Sequence, residues 1–392
     1  MKFLFITSGS EATVFATAAL AAAVQNAGHE ILLVGNEPVM GPAEAIGVPA
    51  FSIMHKPIRH FVQAGPEYAQ KGPRNSRADM SRTARGLARM AVAEMDALLD
   101  LTRAWPPDLV VGGSMSYAAG LLATRLNVPY VRQAEYFEIP LAELDPVADE
   151  ELQPDLKRLG LTGLPDPALF IDVTPPSLLS SPAPRTQPMR WIPRNHQRRL
   201  ESWMFTRPEG RPRVLITSGS RGLMFRTTGG WSVPNLAEQL VLAGAEVLIA
   251  APSDAAEKFG HELGDVRIGW IPLDVVAPTC DLVVHHGGAT TTMTVMTAGV
   301  PHLIIPENPP GFPENTHRQA VARSLSGFGA GLAVLPQEQA PDQDPAEIIA
   351  AGARDVLTTP RYAEQAAVLA GEIAALPTPA EVMRTLETIA AE

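Results

Sequence analysis

Cysteine is nearly absent: Cys280 is alone in 392 residues. No internal disulfide can form, and a reducing compartment, the cytoplasm, fits. No run of about 18 apolar residues is evident, so no membrane span is expected. The amino terminus, Met1-Lys-Phe-Leu-Phe-Ile-Thr, reads as a strand and lacks a signal-peptide cleavage pattern. Charged residues are only 19% of the chain and their balance is −11, which argues against nucleic acid as a main partner. No Asp-x-Asp pair suggests a metal-held diphosphate. What is plentiful is apolar: 46% hydrophobic residues can fill large cores, and 392 residues predict two domains of ordinary size.

The organisation repeats. Lys2–Thr7 is a strand, Ser8-Gly9-Ser10 a turn, Thr13–Asn26 an Ala-rich helix stopped by Gly28, and His29–Val34 a second strand. Together they make a βαβ unit opened by a Gly-containing turn. Ile216-Thr-Ser-Gly-Ser220 then repeats Ile6-Thr-Ser-Gly-Ser10, and Ala243–Ala250 repeats Ala27–Val34. Such a repeat predicts two Rossmann-like domains. Between them, a Pro-rich span from Pro175 to Pro193 marks a linker. Residues 55–95 are rich in Arg and Lys. The early part is broken by Gly65-Pro66 and Gly72-Pro73, and helical spacing runs from Ser81 to Leu101. That region fits a solvated basic face, or a lid.

Residues 281–306 hold the most pointed signal. Asp281-Leu-Val-Val284 is strand-like; His285-His286-Gly287-Gly288 follows; Ala289–Ala298 fits a helix of about three turns; Gly299-Val-Pro301 ends it. A Gly-rich entry into a helix suits an anion, because the first-turn N–H groups are unpaired and carry the positive end of the dipole. His286, Thr290 and Thr291 add donors, and Gly287, Gly288 and Ala289 let a phosphate approach the backbone. On spacing alone the same residues also fit a tight turn with glycine chosen for its φ.

His-His-Gly-Gly-Ala-x-Thr-Thr followed by Ala-Gly-Val-Pro resembles the nucleotide-sugar motif of GT-B glycosyltransferases of family 1, more narrowly the bacterial enzymes that place deoxysugars on polyketide antibiotics. The resemblance runs over nearly the whole chain. It implies an α/β GT-B fold, two Rossmann-like domains facing each other across a deep cleft. The expected boundaries are an acceptor-binding domain 1–190, a linker 191–212, a nucleotide-sugar domain 213–375 and a tail helix 376–392 that crosses back to the first domain. It implies an inverting transfer of a deoxysugar, rhamnose-like in kind, from a dTDP-sugar to a small-molecule aglycone, with no cofactor and no metal. A homodimer or an auxiliary protein partner is compatible. A non-catalytic homologue and a nucleotide-sugar epimerase are the competing readings, since fold alone does not set function.

Site roles follow from the same resemblance. Ser218, Gly219 and Ser220, at the first turn of the second domain, touch the phosphates beside His286. Trp270 and Ile271 resemble the base-binding turn, although a core Trp before a turn fits as well. Many relatives carry a Glu eight positions after the motif histidine to bind a ribose diol; here Thr294 stands there, which favours dTDP over UDP. Glu314 and Asn315 stand in for the sugar-reading acid–amide pair, with Glu307 competing. Ser10, Ser114 and Met115 lie at strand ends on the acceptor side. The family's general-base His falls on Thr13, a poor base. The remaining candidates are Glu11, Glu135 and Glu138, of which the last two equally fit surface carboxylates, or an acidic acceptor that needs little help.

Overall fold

The computed structural model describes the chain apart from residues 8, 66–75, 138, 180–184, 197, 220–231, 254–255, 258–265, 307–314 and 336–343; for 76–80 and 315–316 it describes the backbone alone. Two compact units divide it. The first comprises Met1–Thr174, Leu179–His196 and Ala375–Glu392; the second comprises Pro175–Leu178 and Gln197–Ala374. The first unit thus reaches past the expected boundary at 190 and incorporates the end of the chain.

The first unit is built on a seven-stranded parallel sheet: β1 (Lys2–Thr7), β2 (Glu30–Asn36), β3 (Ala50–Met54), β4 (Leu109–Gly113), β5 (Tyr130–Gln133), β6 (Leu169–Asp172) and β7 (Thr186–Pro188), ordered β3-β2-β1-β4-β5-β6-β7. The second has six parallel strands: β8 (Arg213–Thr217), β9 (Glu246–Ala250), β10 (Arg267–Gly269), β11 (Leu282–His285), β12 (His302–Ile304) and β13 (Gly331–Ala333), ordered β10-β9-β8-β11-β12-β13. Both orders grow outward from their first strand and reverse direction once, between β1 and β4 and between β8 and β11. That is the Rossmann order, and the reversal opens a crevice at the strands' carboxyl ends.

Parallel strands are covered on both faces, so their sequences are apolar throughout. In the second unit Val214, Ile216, Val284, Leu303 and Ile305 pack with the helices Val233–Leu242 and Pro345–Thr358. Leu215, Leu248 and Val283 face the other way, with Val295 of the helix Ala289–Ala298 and with Val300. Each fully buried Val, Leu or Ile contributes about 1.5–3 kcal/mol. In the first unit Leu4, Ile6 and Val110 pack with Ala118, Ala119 and Leu122 of the helix Tyr117–Leu126 and with Leu152 and Leu156 of the helix Leu141–Arg158.

The basic stretch forms a helix, Ser76–Ala104, that starts before Ser81 and lies on Leu141–Arg158. Arg85 reaches Glu150 and Glu151 at 2.6 and 3.0 Å, and Arg89 reaches Glu151 at 2.7 Å. These guanidinium groups are matched by acids within the unit, as befits a helix face and not a lid; residues 66–75 of the same stretch lie outside the described part. The linker divides between the units. Trp191 is buried in the first, where the Arg190 N–H donates to the Pro377 carbonyl at 2.8 Å. In the second, the buried Arg213 guanidinium donates to the carbonyls of Trp203 and Thr206 at 3.1 and 2.7 Å.

By length and composition one 18-residue window within 360–391 is apolar enough to cross a membrane, contrary to the expectation that no such stretch exists. The stretch is two helices, Pro360–Ala375 and Pro379–Ala391, and each buries one face: Ala366, Leu369 and Ile373 in one, Val382, Met383 and Leu386 in the other. Between them Thr378 caps the second helix, its hydroxyl accepting from the Glu381 N–H while the Glu381 carboxylate accepts from the Thr378 N–H at 2.8 Å. The last helix packs on the helix Glu11–Asn26, and His29 meets Glu387 at 2.8 Å.

Candidate active site

The second unit's crevice is formed where β8 and β11 end side by side, Thr217 in register with His285. β8 leads into Ser218 and Gly219; Gly219 has φ +66° and its N–H donates to the Thr217 hydroxyl at 3.1 Å. β11 leads into His286. Its ring is 5% exposed and lies between two glycines: a Cβ on Gly219 would sit 3.0 Å from His286 Cε1, and one on Gly288 would sit 2.5 Å from Nε2. Neither position has room for a side chain.

Gly288 is the N-cap of the helix Ala289–Ala298 and offers no side chain to its first turn. Gly288, Ala289 and Thr290 at this mouth are half-buried, while Thr291 is buried and the Thr292 hydroxyl donates back to the Gly288 carbonyl at 2.9 Å. The amides of the first helical turn are therefore the donors available there. Gly287 is held from behind. Its N–H is taken by His285 Nδ1 at 3.1 Å, so it does not serve a phosphate directly; its glycine is required by φ +79° and by Ile304 and the buried Arg318 close behind it.

His285 and His302, both fully buried, meet at 2.9 Å through Nε2 and Nδ1. Burial lowers His285 to about 3 and His302 well below the ordinary imidazole value, so both are neutral at physiological pH. With Nδ1 of His285 accepting from Gly287, its proton is on Nε2 and is donated to His302. The His302 proton is then on Nε2, which is buried and has no hydrogen-bond partner among the described residues. Leaving such a donor unmatched costs about 1–3 kcal/mol.

Trp270 and Ile271 precede the short helix Leu273–Val276; Ile271 is buried, and the Arg198 guanidinium stacks 5.0 Å over the Trp270 ring. That face of Trp270 is thus covered by a cation–π contact. Thr294 is 4% exposed. Ser220, Glu307 and Glu314 lie outside the described residues, and only the backbone of Asn315 is described, at the start of the helix Asn315–Phe328. One Asp-x-Asp does occur, Asp342-Gln343-Asp344; the Asp344 carboxylate caps the helix Pro345–Thr358 by accepting from the Ala346 N–H at 2.9 Å, and Asp342 lies outside the described residues.

The acceptor-side residues of the first unit divide sharply. Ser114 has 0% exposure, so its expected contact with an acceptor does not hold here. Its N–H donates to Glu135 Oε1 at 3.0 Å, and its carbonyl accepts from Arg132. Met115 packs on the core. Glu135 is 6% exposed, and burial raises its carboxyl above the ordinary range against the opposing pull of the Ser114 hydrogen bonds and of Arg132. Its carboxylate anchors the loop that begins at Ser114 and is enclosed, unlike a surface carboxylate. Arg132 pairs with Asp145 at 2.7 Å, Tyr117 donates to the same carboxylate at 3.4 Å, and the guanidinium lies 6.0 Å from the Tyr117 ring centre.

Around the first turn of the helix Glu11–Asn26 the groups are open. The Thr13 hydroxyl donates to the Ser10 carbonyl at 2.7 Å. Glu11 is 45% exposed at its side chain, with His196 Nε2 3.7 Å from its carboxylate and the His196 ring edge-on to Phe15. His196 carried no signal in the sequence. Glu138 lies outside the described residues.

Two domain profiles match most of the chain: erythromycin biosynthesis protein CIII-like, N-terminal domain, over residues 22–219, and its C-terminal domain over 235–389. The L-demethylnoviosyl transferase of Streptomyces niveus is 33% identical over 369 residues, 93% of this chain and 92% of that protein. The aclacinomycin-T 2-deoxy-L-fucose transferase of Streptomyces galilaeus is 26% identical over 100% of this chain and 97% of its own length. The glycosyltransferase SsfS6 of Streptomyces sp. SF2575, solved with thymidine diphosphate, superposes with a TM-score of 0.82 at 30% identity, covering 99% of both chains. The spinosyn rhamnosyltransferase SpnG with thymidine diphosphate gives 0.82 at 29%, covering 99% of this chain and 100% of that one. Two Rossmann sheets, a helix mouth kept bare by glycine, and likeness along both halves thus converge: the chain belongs to the erythromycin CIII-like family of GT-B family 1 glycosyltransferases.

Proposed function

We propose that this glycosyltransferase moves a rhamnose-like deoxysugar from a dTDP-sugar to a polyketide-type aglycone, with inversion at the glycosyl carbon. The observation that carries the reading is the uncapped first turn of the helix Ala289–Ala298 at the β8–β11 crevice, with His286 wedged between Gly219 and Gly288. Sugar transfer passes through an oxocarbenium-like state, and negative charge grows on the leaving diphosphate. Fixed donors aimed at that charge lower the barrier by about 2.7–4 kcal/mol each in comparable sites. The amides of Gly288, Ala289 and Thr290, the Thr290 hydroxyl and His286 supply them. Ser218 and Ser220 belong to the same seat, and Trp270 stacks on the thymine. We assign sugar contacts to Glu314, Asn315 and Glu307. The seat works without a metal, as a small soluble catalyst of the cytoplasm.

On the acceptor side we assign the base to Glu11, with His196 beside it. It is an acid in reach of an incoming hydroxyl, whereas Glu135 is enclosed. The aglycones of the relatives, which include a spinosyn aglycone complex of SpnG, support a polyketide-type acceptor. The test is turnover of dTDP-sugars against a panel of aglycones, followed by mass spectrometry, with calorimetry of dTDP and UDP alongside. Glycosylated product and tighter dTDP binding are expected. Release of nucleotide equal with and without every aglycone would instead favour an epimerase, and equal dTDP and UDP affinities would remove the Thr294 argument.

A further inference from the structure

We propose that the buried His285–His302 pair is a positioning device for the diphosphate seat. The inference rests on the reading of Gly288–Thr290 as that seat, and concerns residues behind it that no phosphate can reach.

Three observations carry it. First, His285 holds the Gly287 N–H inward at 3.1 Å. Gly287 has φ +79°, a conformation open to glycine and otherwise free to swing. Fixing this one amide orients the peptide planes that follow, and so aims the next N–H groups outward from the helix mouth. Second, His302 supports the tautomer of His285 in which Nδ1 accepts. Because His302 Nδ1 receives the His285 Nε2 proton at 2.9 Å, Nδ1 of His285 is kept bare for Gly287. His302 lies on the neighbouring strand, paired with Val283, so the tautomer is set across the sheet. Third, the chain of donors ends in a buried His302 N–H with no hydrogen-bond partner among the described residues. That open end costs stability, and what the pair supplies in return is an acceptor that fixes the buried Gly287 N–H.

The sharpest test compares two ligands that differ only in the phosphates. In wild-type protein dTDP should bind far more tightly than thymidine, as followed by calorimetry and by ligand-observed NMR. His285→Leu should weaken dTDP about tenfold or more and leave thymidine within about twofold. His285→Asn, whose amide oxygen falls near the Nδ1 position, should recover most of the dTDP affinity. His302→Leu, one residue further from the loop, should weaken dTDP about three- to tenfold, again without effect on thymidine. Equal losses for both ligands, or no loss for either in a folded His302→Leu variant, would overturn the proposal. If wild-type protein binds dTDP and thymidine equally, the seat itself has been misread, which is a separate failure.

Discussion

The β8–β11 crevice and the β4–β5 strand ends lie in two copies of one topology, yet they are furnished oppositely. At β8–β11 the strand ends carry glycines, hydroxyls and neutral imidazoles, and the helix that follows begins with a bare Gly288. No side chain among the described residues caps that first turn, which is where the proposed diphosphate would sit. At β4–β5 the strand ends carry Arg132, Gln133 and Glu135, and these are consumed internally: Arg132 by Asp145 and the Ser114 carbonyl, Gln133 by the Ala16 carbonyl at 3.0 Å, Glu135 by the Ser114 N–H. The topology supplies a crevice in both units; whether it binds depends on whether its polar groups are already matched.

Breaking the open crevice should have the largest effect. His286→Ala should lower kcat/KM for sugar transfer by about 10²-fold or more through lost leaving-group stabilisation; steady-state kinetics giving an unchanged value would displace His286 from the site.

Glycines on the two sides provide the next contrast. A Cβ on Gly288 would press on the His286 ring at 2.5 Å, and one on Gly113 would collide with Glu135 Oε1. Gly288→Ala should therefore cost dTDP affinity, about tenfold by calorimetry, with a modest change in Tm. Gly113→Ala should do the reverse, losing about 1–3 kcal/mol of stability from overpacking with dTDP affinity intact. Parallel behaviour of the two variants would erase the distinction.

The carboxylates sharpen it further. Glu11→Gln should reduce kcat by about 10²-fold with little change in Tm, while Glu135→Gln should act on stability. Because burial raises Glu135 above 4.5, the unfolded chain releases this proton first as pH rises. The folded state then loses stability from about pH 4.5 upward until the raised value is passed, and is flat beyond it. Glu135→Gln should lack that fall, as thermal melts between pH 4 and 8 will show; an identical profile would mean that Glu135 ionises normally.

Much of the nucleotide half was legible because its signals are local. The run Leu282–Val284, the glycines and the helix Ala289–Ala298 are neighbours in sequence, and the Ile-Thr-Ser-Gly-Ser repeat announces two Rossmann sheets. The acceptor half was not, because its decisive facts are pairings at a distance. Ser114 looks like an open strand-end hydroxyl until Glu135 and Arg132 close over its backbone. His285 and His302 are 17 residues apart and meet only through the register of β11 and β12. The helix Leu141–Arg158 contains Pro146 and Pro154, which break a helix when read locally. A stripe of Leu144, Ala148, Leu152 and Leu156 packs it into the core and overrides them. His196 gains meaning only from being folded against Glu11 and Phe15.

The closing helix, Pro379–Ala391, has a consequence for anyone shuffling halves between relatives. It is covalently the end of the nucleotide half but physically a piece of the other, buried on the helix Glu11–Asn26. A chimera spliced once, near residue 197, would mate each amino-terminal half with a foreign closing helix. The recombination that respects the molecule has two junctions, and keeps residues 375–392 with the parent that donates the first strand.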